Sequence, residues 1–147
     1  MIPAQRRKAK KDALQQARRR RGAEWENDLC AALDASGWAH QLDKGWSGHP
    51  YDISAVLNGI PFAVECKRIA TGNLGYSAFT ANEIENLTRF EDAGGKSIVA
   101  IKRDVPDIIV FVPWYCIRAA VLGGERGSVK PEHYPKTLAD ALEVMHP

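Results

Sequence analysis

Glu65 and Lys67 interrupt an otherwise largely apolar run, and they constrain the fold more than any other feature of the chain. In a β-strand, successive side chains point to opposite faces. Glu65 and Lys67 therefore share one face, whereas Phe62, Val64 and Cys66 point the other way, toward a core. Burying an unpaired polar group costs roughly 2–7 kcal/mol, and burying a charge costs more. The pattern therefore predicts a functional strand, and metal-assisted phosphodiester hydrolysis would use both groups.

Size and composition predict one globular domain. The chain has 147 residues, of which 45% are hydrophobic, and this suits a single domain with a substantial core. Cys30, Cys66 and Cys116 are odd in number and widely spaced, which favours reduced thiols and a cytoplasmic protein. The sequence contains neither a membrane-spanning apolar run nor a signal peptide. We therefore expect a soluble protein with no membrane partner.

The charge is distributed unevenly along the chain. Residues 1–22 contain nine Lys or Arg and a single acid, Asp12, whereas the rest of the chain has more acidic than basic residues. This division predicts a basic N-terminal arm, residues 1–22, attached to a single domain, residues 23–147. A polyanion such as nucleic acid is the expected partner, and the arm is expected to order only on that partner. A solubilising tail and an Arg-rich transit peptide are the alternatives.

Apolar spacing and turn residues predict the order of the elements. Asn58-Gly59 favours a tight hairpin. Thr80 followed by Glu83 is a capping box that begins a helix ending at Gly94-Gly95. The remaining predicted helices cover residues 23–36, 114–122 and 138–145, and the predicted strands cover residues 38–42, 51–57, 60–69, 97–102 and 108–112.

This order, with Glu-x-Lys on the third strand, resembles the PD-(D/E)xK nuclease superfamily. More narrowly, residues 21–29 and the loop over residues 45–53 resemble the Holliday-junction resolvases of archaea and phages. Trp46 and Tyr51 depart from the pattern of that loop. The resemblance implies an α/β fold with a restriction-endonuclease-like core, in which helices flank a central mixed β-sheet in the order αβββαβ.

The resemblance also implies roles for individual residues. Asp52 and Glu65 would bind Mg²⁺, which Mn²⁺ could replace, together with the backbone carbonyl of Cys66. This ligand set suits a small cation that prefers oxygen and keeps several waters. Lys67 would stabilise charge on the phosphate. Glu26 would reach the same metal site from the first helix, so the expected catalytic residues are Glu26, Asp52, Glu65 and Lys67.

Helix geometry selects Glu26 rather than Glu24 for this role. With a rotation of roughly 100° per residue, Glu26 lies about 65° and Glu24 about 130° from the centre of the predicted buried stripe. Asn82 and His49 are weaker candidates, because a helix start explains Asn82 and a lone loop histidine is usually solvated. Glu83 is expected to be a helix cap rather than a ligand. The residues expected to contact nucleic acid are Arg18, Arg19, Arg20, Arg21, Ser47, His49 and Arg68.

The expected function is therefore that of a magnesium-dependent endonuclease that resolves four-way DNA junctions in recombination and repair. Two matched cuts imply a homodimer, and the setting would be the cytoplasm of a prokaryotic or phage-infected cell. Two alternatives stay open: a restriction or repair nuclease that acts on other DNA, and a non-catalytic DNA-binding protein.

Overall fold

The computed structural model describes residues 2–43 and 48–145. Within these ranges the helices are α1 (Pro3–Ser36), α2 (Ala81–Asp92), α3 (Trp114–Leu122) and α4 (Leu138–Met145). The strands are β1 (Trp38–Gln41), β2 (Ile53–Leu57), β3 (Ile60–Ile69), β4 (Leu74–Gly75), β5 (Lys96–Arg103), β6 (Ile108–Pro113) and β7 (Ser128–Val129). The predicted order of one helix, three strands, a helix and a strand is therefore confirmed.

The central sheet is mixed and has the strand order β1-β2-β3-β5-β6. β3 and β5 run parallel, with Glu65 opposite Val99, and the other neighbouring strands are antiparallel. Asn58 and Gly59 form the turn between β2 and β3 with φ angles of 50° and 78°, as a tight hairpin requires. The predicted α/β class with a central mixed sheet is confirmed. The small antiparallel pair β4–β7 was not predicted.

Helices cover both faces of the sheet. Leu29 and Leu33 of α1 belong to the core cluster that contains Phe62 and Val64 of β3. Leu87 of α2 belongs to a second cluster, together with buried residues of α3 and with the alternate residues of β3 and β5. β3 is therefore covered on both sides, and its charged residues, Glu65, Lys67 and Arg68, all lie in the C-terminal half of the strand.

α1 is a single helix of 34 residues that passes through the predicted boundary at residue 22 without a break. The sequence predicts an arm that orders only on a partner, whereas the structure continues the helix from the packed residues 23–36 through the arm. Starting a helix is the costly step and extending it is cheap. The packed half thus supplies a nucleus that good helix formers can extend. The division into arm and domain stays a prediction.

A smaller difference concerns one element boundary. β2 begins at Ile53, two residues later than predicted, so Tyr51 and Asp52 precede the strand.

None of the helices within residues 2–43 and 48–145 is both long and apolar enough to cross a membrane.

Candidate active site

A cleft of about 790 Å³ opens between α1, the start of β2, β3 and the first turn of α2. It is lined by Arg19, Gly22, Ala23, Glu26, Gly48, His49, Asp52, Glu65, Cys66, Thr80, Asn82 and Glu83. The structure therefore brings together Glu26, Asp52, Glu65 and Cys66, the four residues that the sequence predicts as metal ligands.

Four carboxylates in this cleft are buried: Glu65 is 4% exposed, Asp52 is 5% exposed, Glu26 is 7% exposed and Glu83 is 9% exposed. Asp52 Oδ2 accepts a hydrogen bond of 2.8 Å from the backbone N–H of Cys66, whereas Glu65 Oε2 is buried without a hydrogen-bond partner. Burial and, next, the facing Asp52 carboxylate raise the pKa of Glu65 to about 10. The unpartnered oxygen and the crowded carboxylates make this a site of unfavourable electrostatics that a cation would relieve.

The donor set fits a hard divalent cation. Carboxylate and carbonyl oxygens are the ligands that Mg²⁺ and Mn²⁺ prefer. Burial, above all, raises the pKa of the Cys66 thiol well above its ordinary value, so the sulfur stays protonated and the backbone carbonyl is the available donor. Within the described ranges, no three His, Cys, Asp or Glu side chains already stand in a metal-binding arrangement. The ligand set therefore stays a prediction.

Lys67 lies beside the carboxylates and is held on several sides. Its Nζ donates hydrogen bonds of 2.8 and 3.1 Å to the two carboxylate oxygens of Glu83 and one of 3.0 Å to the backbone carbonyl of Ala78. The same nitrogen lies 3.9 Å from Glu65 Oε1 and 5.2 Å from the centre of the Phe79 ring. The ammonium group is thus fixed next to the Glu65 carboxylate.

Glu83 is the site residue that the sequence reasoning missed. The cap itself is confirmed, since Thr80 accepts a hydrogen bond of 3.1 Å from the backbone N–H of Glu83. The Glu83 side chain, however, is buried against Lys67, 16 residues earlier in the chain. Only the Thr80 half of the predicted capping box forms, because the Glu83 carboxylate pairs with Lys67 instead. The capping pattern explained Glu83 locally, so no sequence signal pointed to Lys67.

His49 and Asn82 both lie in the cleft. His49 Nε2 lies 2.6 Å from Asp52 Oδ1, and the Asn82 amide donates a hydrogen bond of 2.9 Å to the His49 backbone carbonyl. α2 therefore fixes the loop that presents His49 to Asp52. Ser47, the other loop residue expected to contact DNA, lies outside the described residues.

The burial of the two side chains agrees with the prediction that Glu26, rather than Glu24, lies at the site. Glu26 lines the cleft, and Gln41 Nε2 lies 3.4 Å from its Oε1. The Glu24 side chain is 60% exposed and lies 3.8 Å from Arg68 Nη1.

The predicted DNA-contacting arginines do not share one location. Arg19 lines the cleft, whereas Arg18 and Arg21 border a separate depression beside Arg68. Arg68 donates hydrogen bonds of 2.9 Å to Asp104 and 2.8 Å to the Arg21 carbonyl. Arg68 thus ties α1 to the ends of β3 and β5, and lies outside the cleft. Arg20 is exposed.

The mixed central sheet and the helices that flank it define an α/β fold with the element order αβββαβ. Among solved structures, the fold is similar to that of Hjc, a Holliday junction resolvase from the archaeal hyperthermophile Archaeoglobus fulgidus. The TM-score is 0.58 at 23% sequence identity, over 84% of this chain and 96% of that chain. No family model matches the sequence, and no curated protein matches it significantly. The likeness at this identity is one of fold.

Proposed function

We propose that this protein is a divalent-metal-dependent endonuclease that cuts branched DNA, with four-way junctions as its substrate. The observation that carries the proposal is the unpartnered, buried Glu65 oxygen, which lies beside Asp52 and next to the fixed ammonium of Lys67. Strongly perturbed titratable groups in a cleft are typical of functional sites. The similarity of the fold to a junction resolvase supports the choice of substrate.

In this proposal Asp52 and Glu65 hold a Mg²⁺ or Mn²⁺ ion, with Glu26 and the Cys66 backbone carbonyl completing the protein ligands. The bound ion would supply Lewis-acid stabilisation of the phosphate and a more acidic water. Lys67 provides a compact positive charge for the oxygens of the reacting phosphate, and it acts without reorganising because its position is already fixed.

Glu83 is a positioning residue in this scheme. It holds Lys67 Nζ through two short contacts while Glu65 lies farther away, at 3.9 Å. In this proposal Arg19 and His49, which both line the cleft, contact the phosphates that flank the scissile bond.

We further propose that the active form is a homodimer. A four-way junction is resolved by two matched cuts, and a two-fold pair of identical sites supplies both. Recognition would then depend on the branched shape and the spacing of phosphates rather than on base sequence.

The proposal is tested by offering the purified protein a labelled four-way junction, a linear duplex of the same sequence and a single strand, with Mg²⁺, with Mn²⁺ and with EDTA. We expect metal-dependent cutting of the junction to be at least about tenfold faster than cutting of the duplex. A tenfold ratio corresponds to a difference of about 1.4 kcal/mol in barrier height. Equal cutting of all three substrates would refute junction selectivity. Sequence-dependent cutting of duplex would favour a restriction or repair nuclease, and binding without any cutting would favour the non-catalytic alternative.

Replacing Glu83 with glutamine should lower kcat for junction cleavage by roughly 10- to 100-fold, because a small misplacement of a catalytic group has effects of this size. Junction affinity should be unchanged or slightly tighter, because a negative charge leaves the cleft. The measurement is single-turnover cleavage together with binding in EDTA.

Glu85→Gln is the matched control, since it makes the same change on an exposed face of α2. A similar loss in both variants, or a loss of affinity without loss of kcat in Glu83→Gln, would contradict a positioning role for Glu83.

A further inference from the structure

The N-terminal half of α1 extends beyond the rest of the fold. Residues 3–22 rise by about 30 Å at roughly 1.5 Å per residue, and the side chains of residues 3–16 are all exposed. Near the fold, Arg21 and Gly22 are half-buried, and from residue 25 the helix packs on the sheet. α1 is therefore a projecting rod with one end anchored in the core.

The basic residues of this rod are unevenly distributed around its axis. The buried side chains of the anchored half, Trp25, Glu26, Leu29 and Leu33, define the direction that faces the fold. With roughly 100° per residue, five of the nine basic residues lie within about 65° of that direction, and the other four lie more than about 95° away. The first group is Arg7, Lys8, Lys11, Arg18 and Arg19, and the second is Arg6, Lys10, Arg20 and Arg21.

The face of α1 that packs on the sheet thus continues as a basic face where the helix leaves the sheet. We call Arg7, Lys8, Lys11, Arg18 and Arg19 the inner basic face. This face is joined directly to the cleft, because Arg19 and Gly22 line the cleft one turn apart. A polyanion seated in the cleft would meet the inner basic face as it leaves the protein.

The chemistry of the inner basic face selects its partner. Residues 3–22 carry no apolar stripe that a protein partner could bury, and their single acid is Asp12. Duplex DNA presents one negative charge for about every 1.7 Å of its length, so a rod of about 30 Å spans many phosphates. Basic side chains on one face of a rigid helix would contact these phosphates without reading bases.

We propose that the projecting half of α1 lies along the duplex arm that leaves the cleft, with the inner basic face on the phosphates and with Arg6, Lys10 and Arg20 in solvent on the opposite face. This inference rests on the proposed function for the position of the DNA. It concerns binding, however, and can be tested without cleavage.

The test compares two double variants of the full-length protein, Arg7→Gln/Lys11→Gln on the inner basic face and Arg6→Gln/Lys10→Gln on the outer face. Both remove one Arg and one Lys four residues apart, both lower the net charge equally, and glutamine preserves helix propensity. Affinity for a four-way junction and for a duplex is measured in EDTA over a series of salt concentrations. Circular dichroism checks that the helix content is equal.

We expect the inner variant to bind at least about tenfold more weakly at 0.1 M salt, and its slope of log K against log salt to be smaller by about 1.8, which corresponds to two lost phosphate contacts. The outer variant should bind as the unchanged protein does. Equal weakening of both variants would show an unoriented cationic tail and overturn the proposal, as would no weakening in either.

Cleavage is measured separately in Mg²⁺. If binding depends on the inner basic face but the protein cuts no substrate, the proposed nuclease activity is refuted and the proposed orientation of α1 is retained. If the protein cuts the junction, and the unchanged protein and both double variants bind DNA with the same affinity, the proposed nuclease activity is retained and the proposed orientation of α1 is refuted.

Discussion

Glu65→Gln is expected to make the metal-free protein more stable while abolishing cleavage. In the unchanged protein, Glu65 Oε2 is buried without a partner and faces Asp52. Because its pKa is raised to about 10, Glu65 must take up a proton on folding near neutral pH, which costs stability. An amide of the same shape avoids this cost and can still donate a hydrogen bond to Asp52. Taking about 1–3 kcal/mol for an unsatisfied buried polar group, the melting midpoint should rise by roughly 3–10 °C for a chain of about this size. Stability and activity should therefore change in opposite directions.

Thermal melts in EDTA and in Mg²⁺, together with junction cleavage, test this expectation. Mg²⁺ should raise the midpoint of the unchanged protein, because a ligand that binds only the folded state stabilises it, and it should have little effect on Glu65→Gln. Glu85→Gln, an exposed change of the same kind, should keep both the Mg²⁺ response and the activity. A lower midpoint for Glu65→Gln, or an intact Mg²⁺ response, would show that Glu65 is not a metal ligand.

The elements that the sequence predicted correctly are those whose signals are local. The hairpin at Asn58-Gly59 depends on two residues that tolerate positive φ. The start of α2 depends on the Thr80 cap, and the strands follow from apolar runs between breakers. In each case the information lies within a few residues, so one sequence suffices to find the element.

The features that were missed depend on contacts distant in sequence. Glu83 satisfies a capping pattern, yet its side chain pairs with Lys67 on β3. Arg68 follows the Glu-x-Lys pattern, and no local pattern indicated that it is hydrogen-bonded to Asp104, which directly follows β5. Its contact with DNA stays a prediction. Neither pairing could be inferred from local sequence, because one depends on how α2 packs against β3 and the other on how β3 pairs with β5.

The course of α1 is a third case, in which local composition gives the wrong expectation. Residues 3–22 lack an apolar stripe and would be a marginal helix in isolation. Packing of Trp25, Leu29 and Leu33 on the sheet fixes the C-terminal part of the helix, and the basic segment extends it toward the N-terminus. The orientation of its charges is set by that packing.

Lys67→Ala should reduce the rate of junction cleavage by roughly 10²- to 10³-fold while leaving junction affinity in EDTA nearly unchanged. Loss of one preorganised charge at a reacting centre has effects of this size. The inner basic face, which is proposed to hold the DNA and includes Arg19, is not altered by this substitution. The expected result is a loss in kcat, measured under single-turnover conditions, with binding measured separately. Lys136→Ala, which removes an exposed cation, is the control.

The Lys67→Ala change leaves Glu83 buried without its cation, and an uncompensated buried charge is strongly destabilising. The double variant Lys67→Ala/Glu83→Gln removes both charges, so that a loss of activity in a folded protein can be separated from unfolding. If the double variant melts near the midpoint of the unchanged protein and still fails to cut, Lys67 acts in the reaction itself. If it cuts at the normal rate, the ion pair is structural and Lys67 has no part in the reaction. The proposed role of the Lys67 ammonium in stabilising the reacting phosphate would then be refuted.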